Sequence, residues 1–223
     1  MAKQENTQEF SMSAVDKTTA FIEKNKKIFI GVIAAIIIIA GGIYAYQTLV
    51  VKPNEEKASY LLSKGHSSFA IGNFDLALNG DKTDFTGFTD IAKKYSSTKA
   101  GNLANLYAGL CYAQKGDTKN AIKFLEEFNS KGDQMISPAA IAALGNCYAK
   151  DGNVDKAVSL LKEAAAKADN NSLSPVFLIQ AGELLESQNK PEEALKLYKE
   201  AKDKYPANAE VSNIDKYIQR VTK

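Results

Sequence analysis

The side chains through which this chain could do chemistry are few: one histidine, His66, two cysteines, Cys111 and Cys147, and one arginine, Arg220. His66 lies in Gly65-His66-Ser67-Ser68-Phe69 with no Cys, Asp or Glu at metal-ligand spacing, so it anchors neither a zinc site nor a catalytic triad. It reads as a solvent-facing residue of a helix. The paired acids Glu126-Glu127 and Glu192-Glu193 belong to exposed helix faces. The glycines fall at turns between helices rather than between a strand and a helix, which leaves no phosphate-cradling loop. Lys supplies nearly all the positive charge, so planar bidentate recognition of phosphate or carboxylate has little material. A net charge of +2, spread over both halves, argues against a nucleic-acid surface. No catalytic residue, metal, cofactor or small-molecule substrate is expected, and function must come from a surface.

The elements that would carry such a surface fall into two parts. Ile28 to Tyr46 is one uninterrupted apolar run, continued by Leu49, Val50 and Val51, with Lys24, Lys26 and Lys27 before it and Lys52 after it. About 20 residues at about 1.5 Å each cross a hydrocarbon core of about 30 Å. Residues 28–51 therefore read as a single membrane anchor in contact with lipid. A buried core helix would show a polar face, and this run has none. Tyr44 and Tyr46 suit the headgroup region, and the lysines ahead of the run place the N-terminus in the cytoplasm and the remainder across the membrane. A cleaved signal peptide is the alternative, because Ala40, Gly41 and Gly42 offer a cleavage site; the length of chain before the run and the apolar residues after those glycines favour the anchor. Residues 1–12 carry no periodicity and are expected to be disordered. Residues 13–27, with Val15, Phe21 and Ile22 as apolar points and Ser13-x-x-Asp16 as a helix-start pattern, read either as a short membrane-surface helix or as a tail. The expected division is 1–27 cytoplasmic, 28–51 anchor and 52–223 external domain.

The external domain repeats itself. Asn102 to Asp133, Pro138 to Asp169 and Pro175 to Pro206 align without gaps, their starts 36 and 37 residues apart. Gly109, Gly145 and Gly182 occupy one position, where a missing side chain lets antiparallel helices approach; Tyr112, Tyr148 and Leu185 follow on the same face. Gly116, Gly152 and Asn189 end the first helix, where the left-handed conformation is cheapest for Gly and next for Asn. Asp117, Asn153 and Pro191 start the second helix, and Ala121, Ala157 and Ala194 are its small inner contacts. Ser137-Pro138 and Ser174-Pro175 each read as a Ser N-cap followed by Pro at the first helical position. Each unit is a helical hairpin. Lys57 to Leu78 reads as a fourth, degenerate unit with Gly65, Gly72 and Ala77 at the same offsets; its second helix is interrupted by Asn79 to Phe88, after which Phe88, Ile91 and Tyr95 form a helical face. Val211, Ile214, Ile218 and Val221 recur at helical spacing, as a closing helix requires.

This pattern resembles the tetratricopeptide repeat family, which carries Leu-Gly, Tyr, Gly, Ala, Phe/Tyr, Ala and Pro at these offsets. The last repeat matches most fully, through Ala194, Tyr198, Ala201 and Pro206. The chain departs where the family favours an aromatic at the fourth position, here Asn105, Ile141 and Leu178, and in repeats longer than the usual length of about 34. The expected fold is all-α: one transmembrane helix, then an α-solenoid of about three clear repeats, a degenerate N-terminal unit and a C-terminal capping helix. Cys111 and Cys147 hold equivalent positions in successive repeats. Stacking would separate their Cα atoms by about 9–10 Å, beyond the roughly 7 Å limit for a disulfide, so both read as small core residues.

In the family the first helix of each hairpin lines a shared groove. The matching positions are Leu103, Leu106, Leu110 and Ala113, then Ala139, Ala142, Asn146 and Ala149, then Val176, Ile179, Glu183 and Glu186. The candidate partner-binding residues are Leu103, Leu106, Leu110, Asn146, Val176, Ile179, Glu183 and Glu186: apolar at one end, acidic at the other. Family members that grip a C-terminal carboxylate use Lys, Arg and Asn here; only Asn146 fits. Either the apolar end is open to an apolar segment, or the degenerate unit folds over the leucines and hides them.

A basic N-terminus, one span and a trailing repeat domain, with the segment Thr98 to Ile122 and the last repeat, together resemble the YfgM-like ancillary subunits of the bacterial SecYEG translocon. The resemblance implies an inner-membrane protein whose periplasmic domain assists emerging secreted proteins alongside a periplasmic chaperone. The alternative is an envelope scaffold that joins assembly factors and never touches unfolded clients.

Overall fold

A computed structural model describes residues 19, 21, 23–81, 83, 85–208 and 210–222. The readings for residues 1–12 and for most of 13–27 lie outside the described residues. Among those described, the chain is helical, with one isolated antiparallel bridge between Gly80 and Thr86. It divides into two units, 1–53 and 54–223.

The first unit holds α1, Lys26–Tyr46, followed by a π-helical turn, Gln47–Val51. None of the residues of α1 is buried, and its isoleucines face outward all round the helix. An all-round apolar helix that the protein leaves uncovered is long and apolar enough to cross a membrane.

The second unit is a run of helical hairpins. α2, Lys52–Ala70, begins at the unit boundary and pairs with α3, Phe74–Asn79, and α4, Phe88–Lys94. Then come α5, Lys99–Gln114, with α6, Thr118–Glu127; α7, Ile136–Lys150, with α8, Val154–Ala168; and α9, Ser174–Ser187, with α10, Pro191–Lys204. A 3₁₀ turn, Glu210–Asn213, leads into α11, Ile214–Val221. The interrupted second helix of the first hairpin is thus α3 plus α4. Between them the Asp81 carboxylate accepts from the backbone N–H of Phe85 at 2.9 Å, which turns the Phe85 ring into the core beside Phe88.

Local chemistry sets the turns. Gly116 and Gly152 sit at φ 79° and 88°, and Asn189 takes the same role at φ 57°. Asp117 and Asn153 cap α6 and α8 by accepting from the N–H groups of Asn120 and Lys156. At Gly182 a Cβ would lie 2.4 Å from the Tyr198 ring, so α9 and α10 meet this closely only because the side chain is missing.

The two Ser-Pro pairs are not N-caps. α7 begins at Ile136, before Ser137, because the Asp133 carboxylate accepts from the N–H groups of Met135, Ile136 and Ser137 at 3.0, 2.5 and 3.1 Å. Asn170 does the same ahead of α9, accepting from Ser172 and Leu173. Ser137 and Ser174 are instead wholly buried inside the first turn. The Ser137 hydroxyl donates to Asp133 and accepts from the Lys131 N–H; that of Ser174 donates to the Ala165 carbonyl and accepts from the Asn170 N–H. In each case an upstream polar side chain holds N–H groups ahead of the serine's own capping positions, the serine falls inside the first turn, and its hydroxyl ties the preceding loop down.

Three buried clusters run along the unit. The N-terminal one centres on Leu78, Phe88 and Ile91, the middle one on Leu106, Leu125 and Cys147, and the C-terminal one on Leu161, Leu185 and Tyr198. Cys111 and Cys147 are buried free thiols in different clusters.

Candidate protein-binding surface

The first helices α2, α5, α7 and α9 carry the expected groove. On α5, Leu103, Leu106 and Leu110 pack together with Ala140, Ala143 and Leu144 of α7. Leu106 is 7% exposed and belongs to the core, while Leu103 and Leu110 are half-buried. The apolar end is therefore spent largely on holding α5 to the following hairpin. It is the next repeat, not the degenerate unit, that covers these leucines, since adjacent first helices stack side by side and neither can bury an apolar stripe alone. Ile179 on α9 is likewise core, at 6% exposed, with Val176 half-buried beside it. Ala142 is buried as well, and only Asn146 and Glu183 among the eight candidates are exposed.

Glu186 is already engaged. It accepts two hydrogen bonds from Arg220 of α11 and one from the Tyr198 hydroxyl of α10. The Arg220 guanidinium, followed by the Tyr198 hydroxyl, holds its carboxyl below the usual range against a smaller opposing effect of burial. Tyr198 is fully buried, and burial together with the Glu186 charge pushes its hydroxyl upward. α11 thus neutralises the acid that the sequence assigned to the groove. His66 is exposed on α2 as expected, its ring edge-on to Tyr107 at 5.4 Å.

The opposite face of the first helices holds what the sequence reading missed. Asn105 is two residues beyond Leu103, about 200° round the helix. It lines a cavity of about 420 Å³ between α4 and α6 with Ala92 and Phe124. A second cavity of about 270 Å³ shares Ser96, Asn105 and Glu127 with it, so the two form one groove. Leu178, the equivalent of Asn105, lines a cavity of about 420 Å³ between α8 and α10. The signal was present in the sequence: these are the positions where the aromatic of the repeat pattern is replaced by a smaller side chain.

Ion pairs tie successive hairpins. Lys115 pairs with Asp75, Lys156 with Glu126 at 3.3 Å, and Lys190 with Asp155 at 3.2 Å. Lys156 also donates to the Tyr148 hydroxyl at 2.5 Å and lies over its ring. The Glu55 carboxylate of α2 accepts from the N–H groups of Lys99 and Ala100, which caps α5 from the neighbouring hairpin.

Two solved structures share this fold. One, "Crystal structure of MamA", is 17% identical, with a TM-score of 0.53, over 71% of this chain and 92% of that one. The other, a thermophilic tetratricopeptide repeat protein, TTC0263, from Thermus thermophilus, is 20% identical, with a TM-score of 0.51, over 86% of this chain and 96% of that one. No curated protein matches the chain. The family model of the tetratricopeptide repeat-like domain matches residues 19–220, and the chain belongs to that family.

Proposed function

We propose that this chain is a membrane-tethered protein-interaction module, an accessory of the SecYEG translocon whose repeat domain meets secreted proteins or their chaperones on the periplasmic side. The carrying observation is the coupling of α1, apolar and uncovered, to a hairpin array of a family that binds proteins. Lys24, Lys26 and Lys27 ahead of the span support an N-terminus in the cytoplasm. The partner surface of the shared groove is built from Asn146 and Glu183 with the half-buried Leu103, Leu110 and Val176 at its edges. The likeness to YfgM-like subunits names the translocon and the chaperone.

A second reading, the envelope scaffold, draws on one observation: Leu106 and Ile179 are packed away, so the groove offers little apolar surface to an unfolded client. Affinity purification of the full-length chain in mild detergent, beside a version with residues 28–51 replaced by an unrelated span, separates the two. Recovery of translocon subunits and a periplasmic chaperone supports the accessory, and the replacement shows whether span or repeats hold them. Recovery of other assembly factors without translocon supports the scaffold. A reporter active only outside the cytoplasm, fused after Lys223, is expected to work; activity of a cytoplasm-only reporter there would overturn both.

A further inference from the structure

We infer that the groove between α4 and α6 is a second docking site, and that its occupant is an extended acidic segment of a protein partner carrying an aromatic residue. This rests on the reading of the chain as a protein-binding module but uses the face opposite Leu103 and Glu183. Four lysines, Lys93, Lys99, Lys123 and Lys131, line the two joined cavities against two acids, Asp90 and Glu127. The seven ion pairs among the described residues include none of these six groups. The groove therefore holds an excess of positive charge that no ion pair among the described residues offsets, with Lys123 lying over the Phe124 ring of its floor. The equivalent groove between α8 and α10 is the internal comparison: Lys162 and Lys204 face Asp169 and Glu200, and Lys204 is already paired with Glu200 at 2.6 Å. One groove balances itself and the other does not.

The floor adds shape to charge. Ala92 is buried, Phe124 is half-buried and stacked on Tyr112 at 5.4 Å, and Asn105 stands where the repeat pattern favours an aromatic ring. The space left there is that of the missing ring, so a partner's aromatic side chain fits it while carboxylates on either side meet the lysines. Ser96 and Ser97 on the rim suit the backbone of an extended chain. An apolar anchor ringed by complementary charge is the arrangement that gives orientation as well as affinity.

The test is fluorescence anisotropy of the full-length chain in detergent micelles with a labelled Glu-rich peptide carrying one Phe. Saturable binding that falls with salt is expected. The double variant Lys93→Glu/Lys123→Glu should weaken it by about tenfold or more, Asn105→Trp should weaken it by filling the floor, and Lys162→Glu in the balanced groove should change it less than about twofold. If the double variant fails to fold, Lys99→Gln/Lys131→Gln, both at exposed positions, should still weaken binding by about threefold. Absence of saturable binding, unchanged binding in these groove variants, or an equal loss in Lys162→Glu overturns the proposal. Loss of translocon partners in the purification above, with probe binding intact, bears on the proposed function alone; recovery of those partners without probe binding removes only this groove.

Discussion

Arg220 grips Glu186 with two parallel hydrogen bonds, Nε to Oε2 at 2.7 Å and Nη2 to Oε1 at 2.6 Å, across 34 residues of chain. The contact ties the last helix, α11, to the first helix of the last hairpin, α9. Bidentate guanidinium–carboxylate geometry is unusual in a chain with one arginine, and here it closes the C-terminal end of the hairpin array.

Arg220→Ala should cost about 1 kcal/mol of stability, the upper end for a pair half open to solvent. Arg220→Lys should recover less than half of it, because an ammonium cannot donate in parallel to both carboxylate oxygens. A double-mutant cycle with Glu186→Gln in urea unfolding measures the coupling; a value near zero would show that α11 is held by its apolar packing and the Lys202–Asp215 pair without help from this contact.

Asp133 makes acid unfolding report on the start of α7. The Ser137 hydroxyl, then the N–H groups of Ser137, Met135 and Ile136, hold its carboxyl at about 2, against 3.8 in an unperturbed chain. A group whose pKa is depressed on folding stabilises the fold fully above the unfolded value, and that contribution is lost as the pH falls through about 2. Asp133→Ala should be about 1 kcal/mol less stable at pH 7, as for loss of a helix cap. The difference from the parent should shrink between pH 4 and pH 2; a difference that stays constant down to pH 2 would assign the loss to something other than this charge.

Gly182→Ala should destabilise by about 1–3 kcal/mol, since the new methyl would meet the Tyr198 ring where that ring is already fixed by Glu186. Ala at Gly145 meets its nearest neighbour at 3.2 Å and should cost less. Thermal melts of the two variants give the order, and the reverse order would mean that α7 and α8 are the more tightly apposed pair.

Cys111 and Cys147 should resist thiol reagents in the folded chain. Burial pushes the Cys111 thiol up to about 12 against a smaller opposing pull from Lys115, and the Cys147 thiol is raised for the same reason with Lys150 opposing. At pH 8 both should label only after denaturant is added. Rapid labelling of the native chain would place at least one of them at the surface.

The hairpin phase was legible because its determinants are local. A glycine at the αL turn, a cap three residues before the N–H it serves and a small residue at a helix crossing act within one or two turns of chain, so Gly116, Asp117 and Ala121 announce their hairpin without any knowledge of its neighbours. The Ser-Pro pairs misled for the same reason in reverse: Asp133 and Asn170 hold N–H groups upstream of those a serine cap would serve, so each serine falls inside the first turn, and whether they do so depends on how the loop before them runs over the preceding helix. The uncovered apolar stretch of α1 and the exposure of His66 could likewise be read from composition and spacing.

Burial between hairpins could not. Leu103, Leu106 and Leu110 share a helical face in any register, yet whether that face meets solvent or α7 is fixed by the rotation of one hairpin against the next, which is set by contacts distant in sequence. Glu186 looked like groove surface until Arg220 arrived from α11, and Asn105 looked like a mere departure from a repeat pattern until α4 and α6 closed a groove around it. The amino-acid order determined the helices, their turns and their pairing, through forces that decay within a turn of helix; the choice of which faces remain available to a partner was left to the tertiary structure, because exposure is a property of the neighbours a residue acquires.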